Sequence, residues 1–167
     1  MIILLRFIHI ISGAFWFGAT MLAVRFLAPS MKAAGPAGGV VMAQLNQRKL
    51  SQAMMGAAIL NVVSGVWMMF ALSGGDIGAW MHLPSNQVFA AGGTLATLAL
   101  ITGMVVNAPA FKRLGALGAA IAKRGGPPSP EEAAQMNALQ GRLQTATIIV
   151  ATLLFLAVTA MAVARYV

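Results

Sequence analysis

Four stretches of the chain are apolar on every helical face, and the polar residues gather between them. The runs extend from about Ile2 to Leu27, Ala53 to Leu72, Val88 to Ala108 and Thr145 to Val163 (2–27, 53–72, 88–108 and 145–163). Each supplies the roughly 20 mostly apolar residues with which a helix crosses a hydrocarbon core. None alternates with period two over the length of a strand, which excludes a β-barrel. Backbone groups in lipid must be satisfied within their own segment, which leaves helices. The pattern predicts an all-α polytopic membrane protein: one domain over residues 1–167, with four transmembrane helices arranged as two long antiparallel hairpins.

The connections carry their own signals. Gly35-Pro36-Ala37-Gly38-Gly39 reads as a turn. Val40 to Leu50 then has helical spacing and no breaker, so the second helix is expected to begin near Val41 and to project from the membrane. Gly125-Gly126-Pro127-Pro128 is the other strong turn. Ser129-Pro130-Glu131-Glu132 follows as a helix start, with a Ser N-cap, Pro at the first position and acids against the dipole. That helix is expected to run unbroken into the fourth span. Pro109 is expected to end or kink the third span, with Phe111 to Lys123 as a short basic amphipathic extension. Asp76 to Met81 reads as a short interfacial helix, and Pro84-Ser85 as the start of the third long helix. No internal repeat is expected.

Composition narrows the class further. The chain is 59% hydrophobic, 8% charged and has a mean hydropathy of +0.84. A soluble globular protein carries about 25% charged residues. A soluble globular enzyme and a disordered chain are both excluded. Cysteine is absent, which removes disulfides, thiolate metal sites and cysteine nucleophiles. The net charge of +8 is a topology signal. Arg25, Lys32, Arg48 and Lys49 flank the first link, and Lys112, Arg113, Lys123, Arg124 and Arg142 the third, whereas the second link carries only Asp76. The positive-inside rule then places the basic links in the cytoplasm and both termini on the opposite side of the membrane. With the charge so explained, the expected partners are the lipid bilayer and not nucleic acid, with attraction to anionic headgroups as a secondary use.

Candidate chemistry is sparse. No Asp, Glu or Lys lies inside a span, and no hydrolase, metalloprotease or phosphate-loop motif is present, so no catalytic residue is assigned. His9 is the most informative side chain. His9, Gly13, Trp16 and Thr20 share one face of the first helix. A small residue beside an imidazole, with an apolar wall, is what a flat cofactor needs from an axial ligand. The bland alternative is a histidine hydrogen-bonded to a neighbouring helix, with Gly13 there for close packing. His82, the other histidine, is expected on the same side of the membrane, either as an opposite ligand or as an interfacial residue beside Trp80. The methionines read as core filling.

The segment Leu5-Arg6-Phe7-Ile8-His9-Ile10-Ile11-Ser12-Gly13-Ala14-Phe15-Trp16-Phe17-Gly18 resembles the first helix of a broad group of bacterial membrane proteins. The group includes HemJ-type protoporphyrinogen oxidases, the membrane domain of cytochrome-linked urate oxidases and copper-resistance D proteins. The resemblance rests on His9, Trp16 and Gly18. It implies haem b ligation by His9, the property associated with that histidine in HemJ-type members; joined to the helix-face and topology readings above, it makes His9, Gly13, Trp16 and His82 the candidate haem site. Over nearly its whole length the chain is similar to uncharacterised bacterial four-helix membrane proteins. It lacks the CxxCH-bearing cytochrome domain of the urate oxidase group and the histidine richness of copper-resistance D proteins, so no enzymatic activity carries over.

Small residues at three- and four-residue spacing supply a second signal: Ala14 and Gly18; Ala53, Ala57 and Asn61; and Gly92, Ala96, Ala99 and Gly103. Such faces let helices approach closely in lipid. Four helices need fewer of them. The expectation is a non-catalytic accessory subunit docked among the protein subunits of a larger membrane complex of the electron-transfer kind. The alternative is a small haem-b-binding redox or haem-handling protein using His9.

Overall fold

An apolar run in lipid stays helical until proline, glycine or a polar cluster offers its backbone another partner. The computed structural model describes the backbone of residues 1–167 and every side chain except that of Pro36. Its helices are α1 (Ile2–Ala33), α2 (Pro36–Gln47), α3 (Leu50–Ser73), α4 (Ile77–Trp80), α5 (Pro84–Arg124) and α6 (Pro130–Val163). Helices α1, α3, α5 and α6 are the four that are long and apolar enough to cross a membrane. Among the described residues there is no strand.

Helix α1 lies along α3, and α5 along α6, with slimmer contacts from α3 to α5 and from α1 to α6 closing the ring. The centre is built from small residues. Ala57, Ala58, Ala96, Ala99 and Ala157 pack with Trp16, Val150 and Leu154. The large apolar side chains, among them Phe7, Ile10, Leu60 and Phe155, point outward. Lipid solvates those groups as well as a core would, so close backbone approach holds the bundle together.

Proline is absorbed without ending a helix. Helices α1 and α5 each contain a five-residue π turn, Ala23–Leu27 and Gly103–Asn107. Each turn is followed by an Ala-Pro pair, Ala28-Pro29 and Ala108-Pro109. A proline ring crowds the carbonyl four residues back and cannot bond to it. The wider turn gives that carbonyl room, and α5 runs on past Pro109 to Arg124.

The second helix departs from expectation. It does not run from near Val41 into the membrane: α2 stops at Gln47, and Lys49 takes a left-handed conformation at φ 59° before α3 begins. The Ser51 hydroxyl donates to Asn46 Oδ1 at 3.3 Å across this corner. The corner contains neither glycine nor proline, so the breaker signals do not register it.

The start of α6 is as expected. Ser129 Oγ accepts the Glu132 N–H at 3.2 Å, and Glu132 Oε2 accepts the Ser129 N–H at 2.7 Å, completing a capping box. Arg124, in the last turn of α5, donates to both oxygens of Glu132 at 2.7 Å. That hydrogen bond, followed by the one from the Ser129 backbone, holds the Glu132 carboxyl down to about 2. Glu131 is also lowered, chiefly by its own backbone N–H and then by the Ser129 hydroxyl. At the other end of the bundle Asp76 caps α4, accepting from Ala79 N at 2.9 Å.

The backbone also shows a repeat that residue identities conceal. A shift of 80 positions carries the first π turn onto the second (Ala23 to Gly103), Pro29 onto Pro109, Gly13 onto Gly93, and buried Ser12 and Trp16 onto buried Gly92 and Ala96. A shift of 93 positions carries the buried residues of α3 (Ala57, Ala58, Asn61, Ser64) onto Val150, Ala151, Leu154 and Ala157, all buried in α6. The α1–α3 and α5–α6 hairpins thus share a Pro-linked π turn and part of an inward register, and diverge elsewhere: Thr20 and Ala146 are buried where Leu100 and Ala53 are not, and α6 has no break to match the corner before α3.

Candidate functional site

Most polar side chains in the spans serve their own helix. The hydroxyls of Thr20, Thr94, Thr97, Thr102, Thr147, Thr152 and Thr159 each donate to the carbonyl four residues earlier. Ser12 does the same toward Ile8 O. Among the described residues, the side-chain hydrogen bonds between membrane-crossing helices fall in two places: the Arg124–Glu132 pair, outside the apolar runs, and, within those runs, one cluster where His9 of α1 meets Asn61 and Ser64 of α3.

Its geometry fixes the imidazole. His9 Nδ1 lies 2.8 Å from the Asn61 backbone carbonyl oxygen. A carbonyl can only accept, so Nδ1 carries the proton and, in the neutral ring, the lone pair sits on Nε2. The Asn61 amide returns a bond, donating from Nδ2 to the His9 backbone oxygen at 2.8 Å. Ser64 Oγ stands 3.4 Å from Nδ1 and donates to Leu60 O at 2.5 Å. With Nδ1 protonated, Ser64 is a close neighbour of the ring rather than its donor. Nε2 has no hydrogen-bond partner among the described residues and is not sealed from the surface.

Two glycines make the approach possible. A Cβ on Gly13 would lie 2.6 Å from Asn61 Nδ2, and one on Gly65 would lie 2.9 Å from His9 Cε1. Gly13 seats the amide, and Gly65 lets the ring lie against α3. Asn61 and Ser64 are themselves buried, at 7% and 4% exposure.

Of the four residues singled out in the sequence, the structure joins His9 and Gly13 to one site. Trp16 lies at 5% exposure in the alanine-rich core. His82 is exposed after α4, with no hydrogen bond to His9. Asn61 and Ser64 stand out in the sequence as the polar residues of the second span, but nothing there joins them, or Gly65, to His9. Their spacing places them on one face of α3, a signal that a polar-face search of that helix would have found.

The donor set fits an axial ligand to haem iron in one respect only. A ligating histidine usually donates its second ring N–H to a carbonyl, as Nδ1 does here. The space over Gly13, however, holds the Asn61 amide, and Trp16 walls the core instead of a slot. No group of three or more His, Cys, Asp and Glu side chains that could hold a metal occurs among the described residues.

The second hairpin offers a comparison. The positions equivalent to His9, Asn61, Ser64 and Gly65 are Phe89, Leu154, Ala157 and Val158. The second hairpin thus packs with apolar residues at these positions. No family model, curated protein or solved structure matches the chain.

Proposed function

We propose that the protein is a non-catalytic integral-membrane subunit that docks in a larger assembly of the electron-transfer kind, in a bacterial inner membrane with both termini periplasmic and the basic links cytoplasmic. One observation carries the docking. Ala14 and Gly18 form a small-residue pair on the outward face of α1 that the bundle leaves unused. A Cβ on Gly18 would meet nothing within 4 Å, whereas one on Gly92 would lie 3.2 Å from Ala157 O. Glycine within a helix costs about 1 kcal/mol relative to alanine, and a groove of this kind offsets that cost when another helix lies in it. The electron-transfer assignment rests on the likeness of Leu5 to Gly18 to haem-associated membrane domains. The orientation rests on the split of basic residues between the links.

A second reading is favoured by the His9 cluster: a haem-b-handling protein that presents His9 Nε2 to iron. Its support is the pinned Nδ1 together with the apolar counterpart of the cluster in the other repeat.

One experiment separates the two. Native membranes carrying the wild type, Gly18→Leu or His9→Ala are solubilised gently, and native complex size and visible spectrum are measured. Leucine at 18 enters open space, so the isolated bundle should keep its Tm while leaving the large complex to run as the lone 17.3 kDa chain. A Gly18→Leu protein that stays in the same complex, or a wild type that already runs alone, refutes the docking. A Soret band lost in His9→Ala supports the second reading. A folded wild type without the band, or a band indifferent to His9→Ala, removes it.

A further inference from the structure

Between α5 and α6, at the basic end of the bundle, lies a cavity of about 140 Å³ whose rim carries Arg113 and Arg142, with Pro109, Ala110 and Leu139 as its apolar wall. It shares Val106 and Arg142 with a wider hollow of about 380 Å³, which continues past Gly141 and Ala146 to Thr102 and Ile149, inside the spans. The two together form one crevice, cationic at the end of the membrane-crossing helices and apolar farther in.

Three features of this crevice match a ligand. The first is its charge. Among the described residues neither arginine has a carboxylate in ion-pair range, the one salt bridge being Arg124 with Glu132. The chain has three acids. Asp76 caps α4 at the opposite end, Glu131 accepts from Ser129, and Glu132 holds Arg124. No acid is left for Arg113 or Arg142. The second is Gly141. It weakens α6 without permitting any close approach, since a Cβ there would meet nothing within 4 Å. What its missing side chain does is open the crevice. The third is the gradient itself. Guanidinium groups beside an apolar trough match a molecule with an anionic head and a hydrocarbon tail. The guanidinium fork suits phosphate oxygens, and basic pockets between helices at a membrane surface are where acidic headgroups are held. The narrow end is too small for a helix about 10 Å across.

We propose that this crevice binds one anionic glycerophospholipid, its phosphate between Arg113 and Arg142 and an acyl chain along Gly141, Ala146 and Ile149. The site is separate from the His9 cluster and from the Ala14–Gly18 face, so it stands or falls independently of both.

The test uses the full chain in a neutral detergent, titrated with short-chain phosphatidylglycerol, short-chain phosphatidylcholine or inorganic phosphate. Adducts are read by native mass spectrometry and Tm by thermal unfolding. Phosphatidylglycerol should give one retained adduct and raise Tm, phosphatidylcholine should bind at least tenfold more weakly, and inorganic phosphate should not displace the lipid. Combined Arg113→Gln and Arg142→Gln should weaken phosphatidylglycerol at least tenfold. Gly141→Leu keeps every charge and should retain the lipid-free Tm, yet fill the trough and weaken the lipid by a similar factor. Unchanged phosphatidylglycerol affinity in either variant overturns the proposal, as does equal binding of the two lipids. Inorganic phosphate that binds as tightly as the lipid, and survives Gly141→Leu, reduces the crevice to a bare anion cavity and overturns it too.

Discussion

A single methyl group separates the two kinds of glycine in this chain. On Gly13 it would meet the Asn61 amide at 2.6 Å, and on Gly18 it would meet nothing within 4 Å. Gly13→Ala must therefore push α1 away from α3 or displace Asn61 from the His9 carbonyl. Overpacking of this kind costs about 1–3 kcal/mol. Gly18→Ala meets no obstacle and gains helix propensity of about 1 kcal/mol. Unfolding of the two variants in mixed-detergent titrations should move in opposite directions, and a Gly13→Ala protein as stable as the wild type would show that the approach of α1 to α3 is looser than drawn. The contrast also marks how much of the site the sequence discloses. His9 and Gly13 are legible because they share a face of one helix, and intrahelical spacing follows from residue number alone. Asn61, Ser64 and Gly65 share a face as well, but that this face meets His9 depends on which helix lies beside which and at what height. Trp16 fails for the same reason. Its position on the His9 face is plain, yet the small Ala57, Ala58 and Ala96 that draw it into the core belong to other helices.

At the scale of the element, the helix ends written in side-chain chemistry were readable and those made by the backbone were not. Ser129-Pro130-Glu131-Glu132 announces a capped start, and α6 follows it through 34 residues. The π turns before Pro29 and Pro109 and the left-handed Lys49 have no residue signature, since any L residue can occupy a π turn and Lys49 is neither Gly nor Asn. The capped start has a pH dependence that can be worked out. The Glu132 carboxyl titrates at about 2 when folded, against an ordinary value of 4.5, because Arg124 and the Ser129 N–H bind its charged form. A lowered folded value means that the contribution is complete above the ordinary value. It shrinks as the pH falls from about 4.5 and is gone below about 2. Glu132→Gln removes the charge at every pH. The Tm difference between wild type and Glu132→Gln in detergent should thus be positive and flat above about pH 4.5 and should close by about pH 2. A difference that does not change across that window would mean that the carboxylate contributes nothing through its ionised form.

For the molecule as a whole, its two hairpins share a Pro-linked π turn and part of an inward register but carry different residues there. The repeat is invisible in residue identity because the outward positions accept any apolar side chain in lipid, leaving only the inward register and the Pro-linked π turns to carry it. Where the first hairpin places His9, Asn61, Ser64 and Gly65, the second places Phe89, Leu154, Ala157 and Val158. Hydrogen bonds between membrane helices contribute about 0.6 kcal/mol on average and about 1.7 at most, because the separated helices find other partners. The whole polar cluster is therefore a small part of the bundle's stability, comparable to what apolar packing in the other hairpin achieves at the equivalent positions. Replacing the polar side chains of the first hairpin by their counterparts in the second should then leave the fold intact. The triple variant His9→Phe, Asn61→Leu and Ser64→Ala, which keeps Gly65 beneath the ring, should assemble with a helical spectrum like the wild type's and lose no more than about 2 kcal/mol of stability, in keeping with those bond strengths. It should at the same time lose any cofactor signal that depends on Nε2. If the variant instead fails to assemble, the cluster is a structural clamp specific to this hairpin, and the inference that the second repeat dispenses with it, and so leaves His9 free for chemistry, is wrong. Survival of the bundle with the cluster erased would make His9, Asn61 and Ser64 residues that this fold carries without needing them to stand.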